Sequence, residues 1–318
     1  MIDPFLVKKT TKKYDAIVVG SGISGGWVAK ELCERGLDVL MVERGPAVRH
    51  RQDYTGEGKA PWQLPHGGEV PRELAEKEYY VQKRCYAFNQ ATKHFFGNDR
   101  DYPYSTADGS RFDWIRGNSL GGRSILWHRQ SYRWAPIDFE ENLRDGNGCD
   151  WPIRYGDLES WYSHVERFAG ISGSVDNIPE LPDSECLPPF EFNALEKHLK
   201  TVIEDRFPYM KYIQGRCAHL SEPTQFFLEQ GRGKCMARNQ CQRGCSFGAY
   251  FSTLSSTLPA ALKTNRLQIA CNSIVHSVIH DEATNRVTGV NIIDEETLET
   301  REYHANMVFL CASTLGTT

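Results

Sequence analysis

Residues 14–43 set two short apolar runs on either side of one helical stretch. The first run, 15–19 (DAIVV), is apolar at successive positions rather than alternate ones, the pattern of a strand buried on both faces. Residues 27–35 repeat at helical spacing, and Gly36 is placed to stop that helix. A second buried strand is expected over 37–42 and ends on Glu43. Between the first run and the helix stands Gly20-Ser21-Gly22-Ile23-Ser24-Gly25, which fits G-x-G-x-x-G. In that motif the first glycine makes a tight turn and the second lets a pyrophosphate approach the backbone. The third lets helix and strand pack closely. The helix start offers free N–H groups to the phosphates, and an acidic residue about 20 positions on accepts from an adenosine ribose. Strand, turn, helix, strand and acid occur in order, so the stretch reads as a dinucleotide-binding unit of an α/β fold. The alternative is a glycine-rich turn in some other α/β protein. Glu43-Arg44-Gly45 leans toward FAD over NAD.

Beyond this unit the pattern loosens. Residues 49–104 are polar and rich in Gly and Pro, with a short helix expected over 72–80. Tyr79, Tyr80, Tyr86, Phe88, Phe95 and Phe96 argue that this segment is packed. Leu158, Trp161, Tyr162, Val165 and Phe168 recur at three and four, which predicts a helix over 157–169 with a core-facing aromatic stripe. Helices are also expected over 190–206 and 252–262. Strands are expected over 209–215, 267–270, 274–279, 286–293 and 302–311, with Asn285 in a turn.

Composition adds exclusions. The chain has 318 residues, enough for one large or two ordinary domains, with 40% hydrophobic and 25% charged residues. A net charge of −4 gives no reason to expect nucleic acid or an anionic membrane as partner. No apolar run approaches the roughly 18 residues of a membrane span. The start has lysines but no apolar core behind them, so it does not read as a signal peptide, and residues 8–13 read as a solvated lead-in. Of ten cysteines, Cys33 and Cys311 sit in apolar patterns, as small core residues do.

Residues 114–134, WIRGNSLGGRSILWHRQSYRW, place Gly117, Gly121 and Gly122 among arginines and aromatics. Taken alone, this could be a glycine-rich turn with solvated arginines. With the opening unit, and with CDWPIRYGDLESWYSHVERFAGISG at 149–173, it resembles the glucose–methanol–choline (GMC) oxidoreductases. Within them it is most similar to the FAD-dependent large subunits of bacterial sugar dehydrogenases. The resemblance implies a Rossmann-like FAD-binding domain with the start of an α+β substrate domain, divided as 1–135, 136–230 and 231–318. It implies that Gly20, Gly22, Ser24, Gly25, Glu43 and Arg44 hold the ADP half of FAD. Arg116, Gly117, Gly121, Gly122 and Ser124 would line the pyrophosphate and isoalloxazine. Val275 would present its backbone to the adenine, and Ala312 would touch the cofactor after a strand, 307–312, that re-enters the nucleotide-binding sheet. Some relatives attach flavin covalently through a histidine two positions after the loop serine. Leu126 stands there, so non-covalent FAD is expected, with His128 outside that slot.

Cys235, Cys241 and Cys245 form C-x5-C-x3-C in a glycine- and arginine-rich loop, GRGKCMARNQCQRGCSFGAY. Zinc would want a fourth ligand, for which only His219 is a distant candidate, and metal-free loop cysteines are a third reading. The spacing is similar to that of the [3Fe–4S] loop in sugar dehydrogenase subunits, where Lys234, Arg232, Arg238 and Arg243 would offset the cluster charge. Relatives carry their catalytic histidine after the A-S-T-L-G turn at 312–316, so the chain is expected to be an N-terminal part and no catalytic residue is assigned. The implied activity is oxidation of a sugar or glycoside CH–OH group, with electrons leaving through the cluster to a cytochrome c or quinone. A small chaperone-like subunit and periplasmic residence are implied, with the cytoplasm as the other location. A cluster-free oxidase and a non-catalytic flavin-binding module remain the alternatives.

Overall fold

The computed structural model describes residues 12–317, so residues 8–11 of the expected lead-in lie outside the described residues. Two compact units are formed. The first takes the chain up to Trp127, Arg238–Ser246 and the chain from Ser252; the second takes His128–Ala237 and Phe247–Phe251.

The first unit is built on a six-stranded sheet. Its strands are β1 (Lys13–Val19), β2 (Val39–Val42), β3 (Leu267–Ala270), β4 (Ser273–Asp281), β5 (Arg286–Asp294) and β6 (Thr300–Leu310). The order is β3-β2-β1-β6-β5-β4. Strands β3, β2, β1 and β6 run parallel, while β6, β5 and β4 pair antiparallel. Parallel strands bury both faces, and β1 shows it residue by residue. Ala16 and Val18 join one core cluster with Ala29, Cys33 and Leu258. Ile17 and Val19 join another with Leu40, Val42, Val290 and Tyr303. Helices α1 (Ile23–Glu34) and α7 (Thr257–Lys263) supply side chains to the first cluster.

Helix α1 begins right after Gly22 rather than at 27, because the turn itself feeds the first helical bond, from Gly26 N–H to the Gly22 carbonyl at 2.9 Å. The segment around 49–104 carries only α2 (Arg72–Glu78) and single 3-10 turns, yet Phe95, Phe96, Ala87 and Ala91 are buried, as the aromatic content implied. Asn285 lies in a turn as expected, with φ 52°. The 312–316 turn is instead opened by α8 (Ser313–Thr317).

The second unit holds α3 (Pro136–Asp145), α4 (Tyr155–Ala169), α5 (Ala194–Arg206) and α6 (Gln225–Glu229). The strand expected over 209–215 does not form. Side chains of α5 occupy its backbone: Lys200 Nζ donates to the Tyr212 carbonyl at 2.8 Å, and Tyr212 N–H donates to Glu204 at 3.2 Å. The α4 stripe is only partly core. Phe168 is buried, but Trp161 and Val165 are exposed. Glu166 turns the helix inward instead, because the buried Arg133 guanidinium grips its carboxylate with two bonds, at 2.9 and 2.7 Å. Arg133 also donates to Ser163 Oγ at 2.9 Å and Tyr155 Oη at 3.1 Å.

Removing one member of such a buried pair strands the other charge. Glu166→Gln is expected to destabilise the protein by about 3–5 kcal/mol, read as a lower urea midpoint for the second unit. A midpoint within error of wild type would mean that Arg133 is satisfied without the carboxylate.

Candidate dinucleotide site

The three fingerprint glycines meet three different constraints. Gly20 has φ +93°, and a Cβ there would lie 2.6 Å from the Cys311 carbonyl. A Cβ on Gly25 would lie 1.9 Å from the Gly20 carbonyl oxygen. A Cβ on Gly22 would meet nothing within 4 Å, so this glycine is kept clear for something outside the protein. It is also the N-cap of α1, with no side-chain cap and no acidic residue in the first turn. The unpaired N–H groups of a helix start favour an anion.

These groups border a cavity of about 680 Å³, ordinary for a cofactor site. Gly20, Gly22, Ser24, Glu43 and Arg44 line it. So do Arg116, Gly117, Ser124, Val275 and Ala312, together with Asn118, Trp127 and His276, which sequence reasoning did not single out. Gly25, Gly121 and Gly122 are not among its lining residues. A Cβ on Gly121 would press the Leu254 side chain at 2.9 Å, and one on Gly122 would come within 3.3 Å of Gly22 Cα. Donors at a helix start, a bare glycine and room for an extended ligand fit a dinucleotide.

The expected contacts are redistributed. Glu43 accepts from Ser21 N–H at 3.0 Å, from Ser21 Oγ, and from Gly45 N–H at 2.9 Å, so its carboxylate is already engaged by the glycine turn and by its own loop. Burial pushes its pKa up, and these bonds oppose that rise. Ser21 Oγ also accepts from Gly121 N–H at 2.9 Å, which joins the two glycine loops. Arg116 is buried and donates to the Tyr102 carbonyl at 2.5 Å, with Asp99 at 3.6 Å and its guanidinium over the Trp114 ring at 4.7 Å. Burial lowers its pKa, and Asp99 opposes this. Arg44 lies over the Tyr102 ring at 4.7 Å.

The cysteine triplet is divided between the units, Cys235 in the second and Cys241 and Cys245 in the first. Among the described residues no three His, Cys, Asp or Glu side chains are gathered to hold a metal. Cys235 Sγ lies 3.9 Å from His219 Nδ1, whose pKa burial and then Arg129 depress to about 4. Nor do the loop arginines wait for an anion. Arg238 pairs with Glu57, Arg243 donates to the Lys59 carbonyl at 2.7 Å, and Arg232 donates to the Gly248 and Ala169 carbonyls at 3.0 and 2.8 Å.

Fold and cavity together define a dinucleotide-binding α/β protein. Residues 14–318 match the GMC oxidoreductase family model, and the chain belongs to that family. It is 25% identical to the fructose dehydrogenase large subunit of Gluconobacter japonicus, over 90% of this chain and 50% of that protein. It is 28% identical to the gluconate 2-dehydrogenase flavoprotein of Pantoea cypripedii, over 96% and 51%. With the 2-methyl-1,2-propanediol dehydrogenase of Mycolicibacterium austroafricanum the identity is 24%, over 95% and 49%. The chain spans about half the length of these relatives.

The glycine geometry separates stability from binding. Gly22→Ala should cost the ligand-free chain no more than the roughly 1 kcal/mol of a poorer helix N-cap while abolishing dinucleotide binding by titration. Gly25→Ala should lower the thermal midpoint sharply. The reverse pattern would mean that the cavity beside Gly22 is not the binding site.

Proposed function

We propose that this chain is the FAD-binding portion of a dehydrogenase that oxidises a CH–OH carbon of a sugar or glycoside. The observation that carries this reading is the open cavity at Gly22, with the uncapped start of α1 on one side and Glu43 on the other. When bound, FAD supplies a hydride acceptor for an alcohol carbon. The α1 start and Ser24 would hold the pyrophosphate, Glu43 would accept from the ribose, and the β4 backbone at Val275 would meet the adenine. Arg44 and Arg116 would add positive charge near the phosphates, and Gly117, Gly121 and Gly122 would let the second loop approach the flavin. The sugar-class substrate is supported by the relatives that are fructose and gluconate dehydrogenases by name.

Leu126 is partly buried against the first core cluster and has no nucleophile to offer a flavin. Acid precipitation of the purified, flavin-loaded protein should therefore release all the yellow colour into the supernatant. Flavin retained in the pellet would overturn the non-covalent reading, and a chain that takes up no FAD would overturn the proposal itself.

An iron–sulfur cluster at Cys235, Cys241 and Cys245 is the finer reading, supported by C-x5-C-x3-C spacing. Electron delivery to a cytochrome c or quinone, a small partner subunit and periplasmic residence belong with it, and the cytoplasm is the alternative. The relatives named as a large subunit and a flavoprotein support a partner, and fractionation of cells with and without that subunit checks the location. Anaerobically purified full-length protein should contain iron and sulfide, and any single Cys→Ser change among the three should bleach the visible iron–sulfur absorbance. Neither iron nor sulfide in the wild-type protein would remove the cluster and favour a cluster-free oxidase.

A further inference from the structure

We propose that Thr253 is a positioning residue for the cofactor's pyrophosphate, acting through the Gly22 carbonyl, with Ser124 as its support. This deepens the FAD reading and rests on it. Thr253 Oγ1 donates to the Gly22 carbonyl at 3.0 Å. Its own N–H donates to Ser124 Oγ at 3.0 Å, and Ser124 Oγ donates to the Gly121 carbonyl at 2.6 Å. Both side chains are fully buried. Ser124 therefore spends its hydroxyl inside the protein, joining the second glycine loop to Thr253.

The Gly22 carbonyl accepts twice, from Gly26 N–H at 2.9 Å and from Thr253. A carbonyl oxygen has two lone pairs, so its orientation is fixed from the protein side. The peptide bond is planar and trans, which sets the Ile23 N–H opposite that carbonyl. Ile23 is the first residue of α1 and lines the cavity. Its N–H has no acceptor within the helix and is the donor that a phosphate would meet. No side chain lies within 4 Å on the Cβ side of Gly22, and Thr253 supplies a side-chain bond to that carbonyl beside the helical one from Gly26. The packing is close as well: a Cβ on Gly26 would lie 2.7 Å from Thr253 Cγ2.

Thr253→Val keeps the shape and removes the donor; Thr253→Ser keeps the donor. FAD, ADP and adenosine are titrated into the ligand-free 318-residue chain by calorimetry, with thermal midpoints taken alongside. Thr253→Val should weaken FAD and ADP about tenfold, the worth of roughly one hydrogen bond, and leave adenosine nearly unchanged. Thr253→Ser should restore wild-type affinity. Should the valine variant fail to fold, Ser124→Ala, which frees the Thr253 N–H, should give the same selective loss. Equal losses for ADP and adenosine, or unchanged ADP affinity in the valine variant, would overturn the positioning role. A wild-type chain that binds neither FAD nor ADP would instead overturn the FAD reading on which it rests.

Discussion

The site depends on one buried hydroxyl. Ser21 Oγ accepts from the backbone of the second glycine loop at Gly121 and donates to Glu43 at the end of β2. A Ser hydroxyl has one proton and two lone pairs, and here it links three separate stretches of chain. The carboxylate it meets is buried, where an unbonded charge would be costly. Glu43 is therefore tied first to the glycine turn through Ser21 and to its own loop through Gly45, and ligand recognition is built on a group that already has a structural duty. Pre-organisation of this kind lowers the ordering cost of binding.

The nucleotide-binding half of the fold was legible because its constraints are local. Apolar runs buried on both faces, one glycine turn and one acid are all within residues 14–43, and the sheet places them as read. The second unit was less legible. Trp161 and Val165 share a helical stripe with Phe168, but an Arg133–Glu166 bond, invisible to periodicity, decides which face turns inward. The 209–215 segment has strand-like composition and loses its ladder to polar side chains of α5.

Within the site, residues between the glycines were the ones missed. Ser21 stood as a variable position of the motif. Thr253 lies in the run Ser252–Thr257, which reads as helix, yet the helix starts only at Thr257. Ser252 and Ser255 bond each other's hydroxyls at 2.9 Å, and such side chains compete with the helical backbone. The arginines of the cysteine loop were read as counter-ions. Glu57 and backbone carbonyls from around residues 56–59 take up two of them instead, partners that lie nearly 200 positions upstream and have no signature in the loop itself.

The central place of β1 has a consequence for how the protein is made. One edge of β1 is met early by β2, but the other waits for β6, whose register sets Lys13 against His304. At 5–20 residues per second the ribosome needs roughly 15–60 s to cover that separation. Throughout that interval one edge of β1 presents unpaired backbone N–H and C=O groups between two apolar faces, the kind of template that recruits other chains. The sheet itself leaves that edge uncovered until the late strand arrives.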